Sequence, residues 1–175
     1  MRQATLAALA ALSIAGAATA EVTDRSPAGF QVRRQLEVAA PPAKLYQALT
    51  DIGGWWSSGH TWSGDAKNLS IDPVGGCFCE VWPKGRVRHM TVVYAEPGKS
   101  LHLFGGLGPL QTTGAAGHLN FDIAAKGAGS TLTMTYDVGG YAKGGLAETW
   151  AAPVDAVLGE QLGRLKTFAE TGKAQ

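Results

Sequence analysis

The chain has 175 residues, with 15 Lys and Arg against 14 Asp and Glu and a formal net charge of +1 at pH 7. That length holds one domain with a real core and is short for two. The near-balanced charge provides no one-sided basic surface of the kind that phosphate backbones select, so nucleic acid is excluded as an expected partner.

The N-terminus comes first. Arg2 precedes an uncharged Ala/Leu-rich stretch from Ala4 to Ala18, and Ala18-Thr19-Ala20 matches a small-x-small cleavage site. This pattern predicts a secretory signal peptide over residues 1–20, cleaved before Glu21. A membrane anchor would need about 20 apolar residues, and this stretch is shorter. Removing the segment leaves 14 cations and 14 acids. Residues 21–175 are then expected to form a single domain without stable membrane insertion. Its location is periplasmic or secreted, a compartment that permits disulfides.

Residues 21–29 read as a polar lead-in. Phe30 to Ala39 alternates, with Val32, Leu36 and Val38 on one face and Arg33, Gln35 and Glu37 on the other, which predicts a strand with one wet face. Pro41-Pro42 ends it and suits the first turn of a helix, continued by Leu45, Tyr46 and Leu49 and closed by Gly53-Gly54. A polar connection carrying Trp55, Trp56 and Trp62 leads to a second strand near residues 68–74. Cys77 to Trp82 and Val87 to Tyr94 form a hairpin around Pro83-Lys84-Gly85, and Leu101 to Phe104 follows a turn at Glu96 to Lys99. Gly105 to Gly117 is long, glycine-rich and carries apolar Leu107 and Leu110, the composition of a flap. The last two strands alternate clearly: Leu119, Phe121 and Ile123, then Leu132, Met134, Tyr136 and Val138, each against polar partners.

A terminal helix carries Val154, Val157, Leu158, Leu162, Leu165, Phe168 and Ala169 on one stripe. Pro153 belongs either to its first turn or to the interior of a longer helix starting near Leu146. One antiparallel sheet with an apolar face and one long amphipathic helix make an α+β fold in which the helix covers the sheet.

Both cysteines lie in the run Gly75-Gly-Cys-Phe-Cys-Glu80. Same-face neighbours on a strand have α-carbons about 6.6–6.8 Å apart, at the upper limit for a disulfide. The pair therefore reads as a strained bridge, part of a metal site, or two small strand residues without chemical consequence. His60, His89, His102 and His118 show no tight spacing and no CxxC partner exists, so no metal is expected.

Four stretches, "VAAPPAKLYQALTDIGGWW", "GGCFCEVWPKG", "HMTVVYAEPGKSLHL" and "WAAPVDAVLGEQLGRLKTFAETG", together resemble the START/polyketide-cyclase (SRPBCC) superfamily. They are most similar to the branch related to heat-shock-protein ATPase activators. The resemblance covers residues 30–172. It implies a helix-grip fold, a curved seven-stranded antiparallel sheet wrapped around the C-terminal helix with an apolar cavity between them. Members mostly bind apolar small molecules such as lipids and polyketides; a minority are cyclases, aromatases or hydrolases, and some branches regulate chaperones. The superfamily has no single catalytic motif, so no catalytic residue carries over. The export signal departs from the cytosolic chaperone-activating branch.

The family register turns the aromatic after "GG" toward the cavity, which implies that Phe78 and Trp82 line it and the cysteines face outward. The other expected lining residues are Trp56, Phe104, Leu110, Phe121, Met134, Tyr136, Trp150, Val154 and Leu158. In that register Glu80 stands beside two aromatics, a setting that suits proton transfer or the grip of a polar ligand group, or else a structural pair with Arg34. His89 and Tyr136 are further acid–base candidates, although the register of the His89 strand is ambiguous because Met90, Val92 and Tyr94 are equally apolar. The expected function is binding of an apolar small molecule (a lipid, a polyketide or similar) without a cofactor. The alternative is a cyclase/aromatase- or hydrolase-type enzyme using the same cavity.

Overall fold

The computed structural model describes residues 20–174, so all of the segment read as a signal peptide except Ala20 lies outside the described residues. Eight strands form one antiparallel sheet in the order β1-β2-β8-β7-β6-β5-β4-β3. They are β1 Ala20–Ser26, β2 Gly29–Val38, β3 Leu69–Ile71, β4 Cys77–Trp82, β5 Gly85–Glu96, β6 Ser100–Gly105, β7 Gly114–Lys126 and β8 Gly129–Tyr141. Among the described residues two α-helices accompany them, α1 Pro42–Thr50 and α2 Leu146–Thr171. This is the helix-grip arrangement, with eight strands in place of seven. The additional strand is β1, formed by the segment read as a lead-in, which pairs Val22 with Val32 and Arg25 with Phe30 along the edge of β2.

Period 2 decides which face is buried. Phe30, Val32, Leu36 and Val38 of β2 are buried, as are Leu119, Phe121 and Ile123 of β7 and Leu132 to Val138 at alternate positions of β8. Their neighbours Arg33, Gln35, His118 and Asp122 are at least partly in solvent. The 26 residues of α2 run about 39 Å at 1.5 Å per residue and lay Leu158, Leu162, Leu165 and Ala169 onto the apolar face. The helix begins at Leu146, so Pro153 is an interior residue and α2 lacks one backbone donor there. Helix α1 packs on β7, β8 and α2, and the Ser130 hydroxyl donates to the Ala40 carbonyl at 2.7 Å, closing that end of the barrel-like layer.

Strand β5 departs from simple alternation twice. Opposite Phe78 and Cys79 stand Met90 and Arg88, which leaves His89 as an extra residue in the ladder. A bulge of this kind turns two consecutive side chains to one face. His89 and Met90 are accordingly both buried. A second irregularity between Val92 and Tyr94 restores the parity and exposes both Val93 and Tyr94.

Candidate functional site

At the end of the sheet away from α1, the grip is not filled. A cavity of about 310 Å³ opens between β4, β5, the first half of α2 and two connections. Phe78 and His89 form its sheet wall, and Trp150, Pro153, Val154, Val157 and Leu158 its helix wall. The Gly59–Trp62 segment and Trp56 close one side, and Leu107 to Leu110 close the other. Most of this surface is aromatic or aliphatic.

The two connections are held by specific bonds. Trp56 Nε1–H donates to the His60 carbonyl at 2.9 Å, and Ser57 N–H donates to Gln161 Oε1 at 2.8 Å, tying this loop to α2. His60 also pairs with Glu160 at 3.1 Å across the mouth. On the other side, buried Tyr136 acts as a clamp. Its hydroxyl donates to the Gly105 carbonyl at 3.1 Å and accepts the Leu107 amide at 3.0 Å. Burial, opposed by the Leu107 bond, pushes the Tyr136 hydroxyl up to about 12, so it remains a phenol throughout the physiological range. The flap is thereby shorter than its sequence suggests. Gly105 pairs with Gly117 at the strand ends, and a 3₁₀ turn, Gly108–Thr112, carries Leu110 inward until it is 1% exposed. Gly105 has φ +154, and a β-carbon there would stand 2.8 Å from the His89 carbonyl oxygen, so the flap starts directly against the bulge.

At the sheet wall lies a buried ionisable pair. Glu80 is 0% exposed; its Oε1 accepts the Ser63 amide at 2.5 Å, and its Oε2 accepts the Trp62 amide at 3.1 Å and lies 3.0 Å from His89 Nε2. Burial pushes the Glu80 carboxyl up, but the bonds from Ser63, Trp62 and His89 outweigh it and hold the group below its ordinary value of 4.5. Burial dominates at His89 and lowers it below 6.5 against the pull of Glu80. The result is an anionic carboxylate and a neutral imidazole. Among the described residues, nothing bonds His89 Nδ1. The imidazole stacks on Phe78 with ring centroids 4.7 Å apart.

Of the residues read from the sequence as lining, Trp56, Phe78, Leu110, Trp150, Val154 and Leu158 stand on the cavity wall. Phe121, Met134 and Tyr136 are on the buried face but away from the cavity wall. All three belong to the hydrophobic core, and Tyr136 contributes its hydroxyl to the flap. Trp82 ends β4, half-buried, with its ring over Gly85. Phe104 is on the outer face, 43% exposed and packed at a tilt against His118. Of the three acid–base candidates, Glu80 and His89 are brought together, and Tyr136 is placed apart. Arg34 does not serve Glu80. It bonds Asp155 of α2 at 3.0 Å through Nε.

The cavity residues that sequence reasoning missed are mainly in the two connections: Gly59 to Trp62, Leu107 to Pro109, and Pro153 and Val157 of α2. Leu107 reads as part of an apolar flap and Trp62 as one of the tryptophans of its connection, but connections carry no periodicity that directs their other residues to a wall; Val157 was on the helical stripe and could have been named. Phe78 and Glu80 point inward and the cysteines outward, as period 2 requires. The open question of "CFC" resolves to a disulfide, with α-carbons 5.4 Å apart. That separation is shorter than two fully extended residues span, so β4 is contracted between the two cysteines. Among the described residues, no group of three or more His, Cys, Asp or Glu is placed to hold a metal, and no helix is long and apolar enough to cross a membrane.

Solved structures share this fold. EF2215, a conserved protein of unknown function from Enterococcus faecalis, superposes with a TM-score of 0.60 at 17% identity, covering 92% of this chain and 81% of its own. DynU16, from the dynemicin biosynthetic locus, gives 0.57 at 22% identity over 82% of this chain and 48% of that one, so this chain spans about half its length. The Aha1 dimer protein of Colwellia psychrerythraea gives 0.51 at 18% identity over 82% of this chain and 98% of that one. No curated protein sequence matches the chain. The sequence family described as polyketide cyclase / dehydrase and lipid transport matches residues 29–170, nearly the whole described domain, and the chain belongs to that family.

Proposed function

We propose that this protein binds a small apolar molecule in the cavity between the sheet and α2, and that it does so as an exported protein. One observation carries the binding reading: a mostly apolar cavity of about 310 Å³, walled by Trp56, Phe78, Leu110, Trp150, Val154 and Leu158, opens beside the hydrophobic core. Pockets of about this size and composition are the usual form of a small-molecule site. The family match and the fold shared with DynU16 support a ligand-binding use of the grip. The Ala/Leu-rich N-terminus supports export, and N-terminal sequencing of secreted protein that begins at Glu21 would test it.

Titration of wild type, Val154→Trp and Asn120→Ala with an environment-sensitive apolar fluorophore tests the binding. Val154 is on the cavity wall, whereas Asn120 lies on the opposite, outer face of β7. Filling the cavity with an indole should weaken binding at least about tenfold, a loss of about 1.4 kcal/mol, and Asn120→Ala should leave it unchanged. Equal loss in both, or no binding by wild type, removes this reading.

The buried Glu80–His89 pair favours a second reading, a cyclase/aromatase- or hydrolase-type enzyme in which His89 takes a proton from the bound molecule. Mass spectrometry of small molecules that co-purify with the protein, before and after incubation, separates turnover from simple binding.

A further inference from the structure

The cavity is mostly apolar; His60 and Thr61 stand on its loop side, and His89 is the polar side chain of its sheet wall. A ladder bulge spends one extra residue of β5 to bring His89 inward beside Met90. Phe78 stacks on one face of the ring. Glu80 takes its Nε2, and Glu80 is itself held by the amides of Trp62 and Ser63. Two backbone amides donate to that carboxylate, and donors that cannot reverse their role favour its ionised form. An ionised acceptor at Nε2 fixes the ring proton there, so Nδ1 carries a bare lone pair. That nitrogen is buried and has no bond among the described residues, while the ring it belongs to forms part of the cavity wall. An unmet acceptor in such a place is costly unless something else meets it.

We propose that His89 Nδ1 is the polar reading head of the cavity: it accepts a hydrogen bond from a hydroxyl on an otherwise apolar, aromatic-sized ligand. Glu80 is a positioning residue that selects the tautomer. The inference rests on the binding reading above and narrows its ligand class. A neutral alcohol or phenol supplies the donor that Nδ1 lacks. A hydrocarbon leaves the acceptor unmet. A carboxylate ligand presents a lone pair to a lone pair and adds a second negative charge near Glu80, so it is rejected unless the ring gains a proton that burial opposes. The aromatic side chains Trp56, Trp62, Phe78 and Trp150 around the cavity favour a flat ring system.

The test uses 1-naphthol, naphthalene and 1-naphthoate, which share one ring system, with calorimetric titration at pH 7.5 and ¹⁵N observation of the His89 ring. Wild type should bind 1-naphthol about fivefold to tenfold more tightly than naphthalene, the increment of one net hydrogen bond. It should bind 1-naphthoate more weakly than either. Addition of 1-naphthol, and not of naphthalene, should move the Nδ1 resonance from its bare-nitrogen position while Nε2 stays protonated. His89→Phe should bind the two neutral probes equally. Should that variant fail to fold, the ring-nitrogen titration of wild type decides by itself. Equal affinity of wild type for 1-naphthol and naphthalene, a proton found on Nδ1, or preference for 1-naphthoate overturns this inference while leaving apolar binding intact. Failure of all three probes to bind overturns both.

Discussion

Removing one oxygen should loosen the flap. In Tyr136→Phe the ring is retained, and with it the tight packing against Gly117, where a β-carbon would stand only 2.9 Å from the ring. What disappears is the acceptor of the Leu107 amide and the donor to the Gly105 carbonyl. Each neutral bond contributes about 0.5–1.5 kcal/mol net, and leaving a buried partner unmet costs about 1–3 kcal/mol. Gly105 and Leu107 are half-buried, so water can replace part of the loss. The expected cost is about 2 kcal/mol, which corresponds to a fall in Tm of about 4–8 °C for a domain of this size. The local signature is sharper than the melt. Amide exchange at Leu107 should accelerate about thirtyfold, the equivalent of 2 kcal/mol, whereas Leu119 on the neighbouring strand should change only with global stability. Tyr141→Phe, which alters a residue 73% exposed, is the control and should do neither. Unchanged Leu107 exchange in Tyr136→Phe, or an equal response in Tyr141→Phe, would refute the clamp.

Two further outcomes are expected. The folded protein holds His89 below 6.5 and Glu80 below 4.5, so the unfolded chain binds more protons in each window and stability should fall as pH drops below about 6.5, then again below about 4.5. Urea midpoints between pH 7.5 and 5 should show the first descent in wild type and a shallower one in His89→Phe; parallel curves would contradict the assignment. In α2, Gly163→Ala should stabilise by about 0.5–1 kcal/mol because the new methyl meets open space, whereas Gly159→Ala should destabilise because its β-carbon would lie 2.4 Å from the Arg34 guanidinium that grips Asp155. Differential scanning of the pair checks the sign, and a gain in both would show that Arg34 yields freely.

The fold was largely legible because its signals are periodic. Leu119-Phe121-Ile123 and Leu132 to Val138 alternate at period 2, and the Leu158-Leu162-Leu165 stripe repeats at helical spacing, so each announces its buried face. Strand β1 was not legible. Ala20 to Ser26 is polar and held by edge pairing to β2, and pairing leaves no imprint on composition. The site was half legible for related reasons. Phe78 and Glu80 follow the simple alternation of β4, but His89 is inward only because of a bulge, and a bulge shifts parity without marking the residues that it moves. Tyr136 illustrates the other limit. Its inward direction is evident from β8, yet its role depends on two backbone groups some 30 positions earlier, at Gly105 and Leu107, which no local pattern connects to it. The disulfide likewise requires a contraction of β4, which regular strand spacing does not announce.

The most direct measurement of the binding site is a set of intermolecular nuclear Overhauser contacts between bound 1-naphthol and the methyl groups of the protein. Contacts to Leu110 of one connection together with Val154 and Leu158 of the helix wall are the expected result. Contacts confined to the outer face around Phe104 and His118, or an absence of contacts to all three cavity residues with the probe bound, would contradict it.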